Sequence, residues 1–252
     1  MIPIKSPAEL ERMRRSNRIA ARVRDALASE IRPGVTTADL DELAEALIRE
    51  QGARSAFKGY RGYPGNICVS VNEEVVHGIP GRRAIRMGDI VSLDVGVVCK
   101  GFVGDTATTV MVGATDVETV RLVETTRQAL TAALAAVRDG TRLSDVSHAI
   151  ESTARAAGFS VVRDFVGHGI GRSMHEEPQI PNFGPPGLGP VLREGMTLAI
   201  EPMLNRGASG VEVLADGWTV VTRDGLPSAH FEHTVAVGVS GVEILTETDR
   251  DG

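Results

Sequence analysis

Helical and strand-like spacings of apolar residues alternate in blocks along the chain. Residues 6–30, SPAELERMRRSNRIAARVRDALASE, show helical spacing behind Ser6 as N-cap, with Pro7 at the first helical position and Glu9 closing a capping box. A second helix is predicted from about Ala38 to Glu50, ended by Gly52, and two more from about Val117 to Val137 and Asp145 to Ala157. Elsewhere the period shortens to two. NICVSV and DIVSLDVGVVCKGFVGDTATTV (residues 89–110) lie between the helix pairs, and FSVV, MTLAI, GVEVL, WTVVT and HTVAVGV follow the second pair. PQIPNFGPPGLGP, rich in Pro and Gly, reads as a surface loop.

This order occurs twice. IRPGVTTADL from Ile31 matches VRDGTRLSDV from Val137, GDIVSLD ending at Asp94 matches GMTLAIE ending at Glu201, and DTATTVMVG from Asp105 resembles EHTVAVG from Glu232. Three matches in one order predict a duplicated helix, helix, hairpin unit, too long for a solenoid repeat. The chain is therefore expected to be one α/β domain over residues 1–252, with halves at about 6–113 and 114–246. The duplication pairs four acids, Asp94 with Glu201 and Asp105 with Glu232.

Those acids are out of place in apolar strands. If Cys99 and Lys100 form the two-residue loop of the hairpin, Asp94 lies directly across from Asp105 on the same face, with Cβ atoms about 4.5–5.5 Å apart. An isolated Asp in a strand more often sits at an edge, and Glu201, before Pro202, could simply mark a strand end. Four acids at repeated positions argue otherwise. Brought to one centre they need about four positive charges, and apart from Lys100 at the turn these strands supply no Lys or Arg. Two divalent cations would.

Composition narrows the function classes. The 252 residues are 42% apolar, enough for a sizeable core. The net charge of −6, mixed along the sequence, argues against strong or sequence-specific nucleic-acid binding. No apolar run is long enough for a membrane span and no signal sequence is evident, so a soluble cytoplasmic protein is expected. Cys68 and Cys99 are expected to be buried free thiols. Among the six histidines, His168 in FVGHGIGR stands out because Gly167 and Gly169 leave the backbone free to present the imidazole closely to a partner. GHGIG lacks the spacing of a phosphate loop. His77 and His175 lie in turns rich in Gly, Pro and acids, whereas His148 lies in a helix with no suspicious neighbours. His230 and His233 flank Glu232 and read either as groups supporting it or as exposed residues.

The set LDVG, GDT, GHGIG, MHEEP, AIEPM and FEHT, in this order, resembles type I methionine aminopeptidase in its short bacterial form, from about Ser6 to Thr246. The resemblance implies the pita-bread fold, a pseudo-twofold α/β arrangement with a curved antiparallel sheet backed by helices. It implies a dinuclear centre of Co, Mn, Fe or Zn held by Asp94, Asp105, His168, Glu201 and Glu232, with Asp105 and Glu232 bridging the ions, and a metal-activated hydroxide that attacks the first peptide bond. Glu201 would also shuttle the proton, His175 stabilise the oxyanion, and His77 hydrogen-bond near the scissile amide. Tyr60, Tyr63, Cys68, His77, His175 and Trp218 would line the methionine pocket and its mouth. Phe57 and Met174 depart from the bacterial pattern, standing where Cys and Phe are often found. The implied partners are nascent polypeptide N-termini, with transient ribosome contact, for an enzyme acting as a monomer. Prolidase or aminopeptidase P, an inactive binding module of the same fold, and a Ca²⁺-binding structural protein are the competing readings.

Overall fold

The computed structural model describes residues 2–113 and 116–248; Met1, Ala114, Thr115 and residues 249–252, which include the expected boundary between the halves, lie outside them. The first half contains α1 (Pro7–Glu30), α2 (Thr37–Glu50), β1 (Arg54–Ser55), β2 (Cys68–Val71), β3 (Glu74–Val76), β4 (Ile90–Cys99) and β5 (Phe102–Met111). The second contains α3 (Val117–Ala136), α4 (Leu143–Ala156), β6 (Ser160–Val161), β7 (Gly167–Gly169), β8 (Glu176–Ile180) and β9 (Thr197–Ile200). It continues with β10 (Met203–Asn205), β11 (Val211–Val213), β12 (Val220–Thr222), β13 (Ser228–His230), β14 (Glu232–Val237) and β15 (Val242–Ile244).

Helix starts follow the capping chemistry. Ser6 and Glu9 form the expected box on α1, and Thr36 with Asp39 forms a second on α2, which moves that helix start one residue ahead of Ala38. α4 begins at Leu143, two residues before expectation, with the Asp145 carboxylate accepting from the Arg142 backbone.

A nine-stranded sheet runs β1-β4-β5-β14-β9-β7-β8, with β2 also on β4 and β15 on β14; two three-stranded sheets, β13-β10-β6 and β11-β12-β3, flank it. The segment read as a Pro-Gly loop begins inside this structure. Glu176–Ile180 pairs with Gly167–Gly169, because an edge strand tolerates Pro178.

The twofold repeat is visible in the backbone bonding. Gly34 N donates to Ile85 O and Gly140 N to Leu192 O; Gly88 N donates to Val112 O and Gly195 N to Val237 O. Each half has its own apolar core. α1 and α2 bury Ile19, Leu27, Leu40 and Ile48 against Val69, Val91 and Leu93, whereas α3 and α4 bury Leu122, Leu130, Val146 and Ile150 against Leu198, Ile200 and Val235. This matches the curved, helix-backed antiparallel arrangement implied by the sequence.

The helices cover one sheet face, and the approach of α1 is close. A Cβ on Gly104 would lie 2.6 Å from the Ser16 carbonyl carbon and oxygen and 2.7 Å from the Asn17 nitrogen, all backbone atoms. Gly104→Ala is expected to cost about 2 kcal/mol or more, since neither element can retreat without disturbing its core; urea unfolding measures it, and an unchanged midpoint would mean that α1 moves freely on the sheet.

The hairpin register differs from expectation. Cys99 pairs with Phe102, so Lys100 and Gly101 form the loop, with φ of 49° and 82°. Both central residues of a type I′ turn need positive φ, which Gly101 supplies without strain and Cys99 would not. Asp94 therefore pairs with Ala107, and Asp105 with Gly96. The shift moves the partner by two positions, so both aspartates remain on one face, as diagonal neighbours rather than opposite ones.

Candidate metal centre and cleft

A row of cross-strand neighbours carries the centre. Cys68 pairs with Asp94, Asp94 with Ala107, and Ala107 with Glu232, on the face away from the helices. Since His233 pairs with Ile200 and Met203 with His230, the same register sets Glu201 beside Glu232. His168 pairs with Ala199, which shares a face with Glu201 two residues on. Strand alternation thus delivers Asp94, Asp105, His168, Glu201 and Glu232 to one concave surface. Neither aspartate is at a sheet edge, because β4 and β5 are both paired on two sides.

One part of the sequence-derived symmetry does not hold. The repeated backbone bonds make Asp89 equivalent to Met196, hence Asp94 to Glu201 and Gly96 to Met203. Gly96 pairs with Asp105 whereas Met203 pairs with His230. The counterpart of Asp105 is therefore His230, and Glu232 corresponds to Ala107; the motif match had set Asp105 against Glu232, two positions away.

The centre is buried and crowded with carboxyl groups. Asp105 and Glu232 are 4% and 2% exposed, and Asp94 Oδ1, Asp105 Oδ1, Glu232 Oε1 and His230 Nε2 are buried without a hydrogen-bond partner. His168 Nδ1 lies 2.9 Å from Gly169 O, a carbonyl that can only accept, so Nδ1 carries the proton. Its Nε2 lone pair then faces Glu201 Oε1 at 3.6 Å and Asp105 Oδ2 at 3.9 Å. Burial, followed by the neighbouring carboxylates, holds Asp94, Asp105 and Glu232 well above the usual range; burial raises Glu201 to about 8. Burial likewise lowers His168 to about 4 and His230 to about 3. Orphaned carboxylate oxygens facing an imidazole lone pair form an oxygen-rich donor set that fits divalent cations. Donor atoms of Asp105, His168 and Glu232, and separately those of Glu201, His230 and Glu232, lie within 4.8 Å of one another.

A pH dependence follows. A carboxyl whose pKa is raised by folding stabilises the fold while it is protonated, and that contribution is lost as pH rises toward the folded pKa. Above pH 7 the buried histidines are neutral when folded and at most about a quarter protonated when unfolded, an opposing contribution that fades by pH 8, so toward pH 8 the acids set the slope. Chelated protein is expected to lose about 1.4 kcal/mol per pH unit for each such carboxyl still protonated when folded, and Mn²⁺ to raise Tm more at pH 8 than at pH 7. Calorimetry with EDTA or MnCl₂ checks this; a chelated Tm that is flat over the window would contradict it.

The centre lies at the floor of a cleft of about 270 Å³. Tyr60, Tyr63, Cys68, His77, His175 and Trp218, all expected there from the sequence, line it. Tyr63 is buried and donates to the Ile67 and Gly78 carbonyls, and its ring meets Trp218 edge-on at 5.1 Å. His77 adopts φ of 60°, a left-handed conformation uncommon outside glycine, and stands edge-on between Phe165 at 5.5 Å and Trp218 at 6.1 Å. His175 is exposed at the rim, its Nδ1 2.9 Å from the Tyr60 hydroxyl and its ring 4.3 Å from that of His168. Phe57 and Met174 also line the cleft and converge on Gly96, where a Cβ would lie 2.4 Å from the Phe57 ring and 3.0 Å from Met174 Cε.

Other residues were not evident from sequence. Arg61 and Phe165 line the cleft, and buried Asn182 donates to the Glu201 carbonyl at 3.1 Å. Neither histidine beside Glu232 is exposed. His230 is fully buried with Nε2 3.5 Å from Glu201 Oε2, whereas half-buried His233 points away and bonds Thr246 Oγ1 at 2.8 Å. Cys68 and Cys99 are buried free thiols, and His148 bonds Gly184 O and Ser152 Oγ. Among the described residues no helix is long and apolar enough to cross a membrane.

A curved antiparallel sheet with buried acids on its concave face fits a metallopeptidase, and the profile of metallopeptidase family M24 matches residues 11–238: the chain belongs to that family. Within it, the chain is 51% identical over 246 residues to methionine aminopeptidase 1 of Bacillus subtilis, covering 98% of this chain and 99% of that one. A crystal structure of methionine aminopeptidase from Thermotoga maritima superposes with a TM-score of 0.97 at 49% identity, covering 98% and 100% of the two chains. Prolidase from Pyrococcus furiosus shares the fold at a TM-score of 0.80 and 24% identity, but this chain spans only 66% of it.

Proposed function

We propose that the protein removes the N-terminal methionine from nascent polypeptides whose second residue is small. The observation that carries this reading is the near end-to-end similarity to methionine aminopeptidases, together with a complete set of acids and histidine at the cleft floor.

Asp94, Asp105, His168, Glu201 and Glu232 would hold two divalent ions. Bound there, the ions supply a nucleophile at neutral pH and polarise the scissile carbonyl. An ion held at this floor would also offer a place for the free α-amine, which favours an exopeptidase. The protein's own groups do the rest. Glu201, at the cleft floor, is the group that passes a proton to the leaving nitrogen. With the Tyr60 phenol donating to Nδ1 of His175, Nε2 carries the proton and donates to the tetrahedral oxyanion. His77, held in the cleft by Phe165 and Trp218, faces the scissile amide. Tyr63, Cys68, Phe165 and Trp218 form the side-chain pocket, whose Phe57 and Met174 wall is expected to adapt to ligands through the flexible thioether. Transient contact with the ribosome follows from the substrate.

The purified protein is expected to cleave Met-Ala-Ser, to stop when chelated, and to recover when Mn²⁺ or Co²⁺ is restored. Preference for Xaa-Pro peptides would instead assign a prolidase-type activity.

A further inference from the structure

We propose that His230 is a direct metal donor through Nε2, joining Glu201 and Glu232 on one ion; the inference rests on the metal-dependent reading above.

The strand register makes His230 the symmetry counterpart of Asp105, whose carboxylate faces the centre from the other half. An inward-facing place filled by an acid in one half is filled by an imidazole in the other.

His230 is 1% exposed, and its Nε2 is buried without a partner, 3.5 Å from Glu201 Oε2. Donor atoms of Glu201, His230 and Glu232 lie within 4.8 Å of one another, the dimension of one ion's ligand shell. An imidazole buried merely for packing would be expected to bond its ring nitrogens to protein, as His148 does.

Thr109 Oγ1 accepts from His230 N at 2.9 Å and donates to His230 O at 2.7 Å, and Ser92 Oγ lies 2.8 Å from the same hydroxyl. This clasp fixes the backbone from which the imidazole projects, so the ring is aimed before any ion arrives. A sixth, uncharged donor would make the centre four carboxylates and two imidazoles, biasing it away from the hardest cations toward Co, Fe or Zn.

Proton NMR of the full-length protein loaded with Co²⁺ tests this by counting hyperfine-shifted, exchangeable imidazole N–H resonances. Two are expected in the wild type and one in His230→Gln, with Kd for the affected ion raised about tenfold or more by calorimetry. A single resonance in the wild type with both ions bound would overturn the inference and leave the metallopeptidase reading intact; failure to bind any divalent ion would overturn both. The wild-type count stands even if the variant does not fold.

Discussion

Glu201→Gln is expected to lower kcat for Met-Ala-Ser about a thousandfold, the middle of the range for loss of a positioned general acid–base group. The substitution keeps size and leaves an amide oxygen, so the fold should survive, but an amide cannot take and return a proton. The residue is well placed for that task, since it lies at the cleft floor with Oε1 and Oε2 facing His168 and His230 at 3.6 and 3.5 Å. Because the same carboxylate is also a candidate ligand, metal content must be measured with single-turnover kinetics. A variant that turns over within tenfold of wild type with full metal content would remove Glu201 from proton transfer.

His175→Ala is expected to lower kcat a hundredfold or more, as loss of one oxyanion donor does elsewhere, while metal content stays unchanged. His175 is well suited to act on the reaction and poorly suited to hold the fold. It is exposed at the rim, and its polar contact is with the Tyr60 hydroxyl. Tyr60→Phe should reproduce part of the loss, since the imidazole would then lack the bond that fixes its tautomer. Steady-state kinetics with metal analysis decides the matter, and an unaltered kcat would exclude His175 from the mechanism.

How much of this was legible in the sequence differs from residue to residue. Asp94 and Asp105 could be placed on one face without knowing which two residues form the turn, because a register shift of two leaves facing unchanged. Their separation could not, since it depended on which two residues accept positive φ, and the structure gives that role to Lys100 and Gly101 rather than Cys99 and Lys100. His168 announced itself through its flanking glycines: a Cβ on Gly167 would lie 2.5 Å from Ala199 O, and one on Gly169 2.0 Å from Glu177 O. His230 gave no such signal. Its inward aim follows from pairing with Met203, 27 positions away, and from the Thr109 clasp more than a hundred positions away. Asn182 was hidden for the same reason, lying in a stretch whose composition reads as loop while its side chain reaches the Glu201 carbonyl.

The sequence by itself determined the helices, the duplication and the acids that needed a cation, because capping, periodicity and unpaired charge are local or counted properties. Only the tertiary structure decided the register across β4, β5, β9 and β14. With it came the symmetry partner of Asp105 and the depth at which each carboxyl and imidazole is buried. Those depend on which backbones are neighbours in space, and proximity of that kind has no counterpart in the linear order of residues.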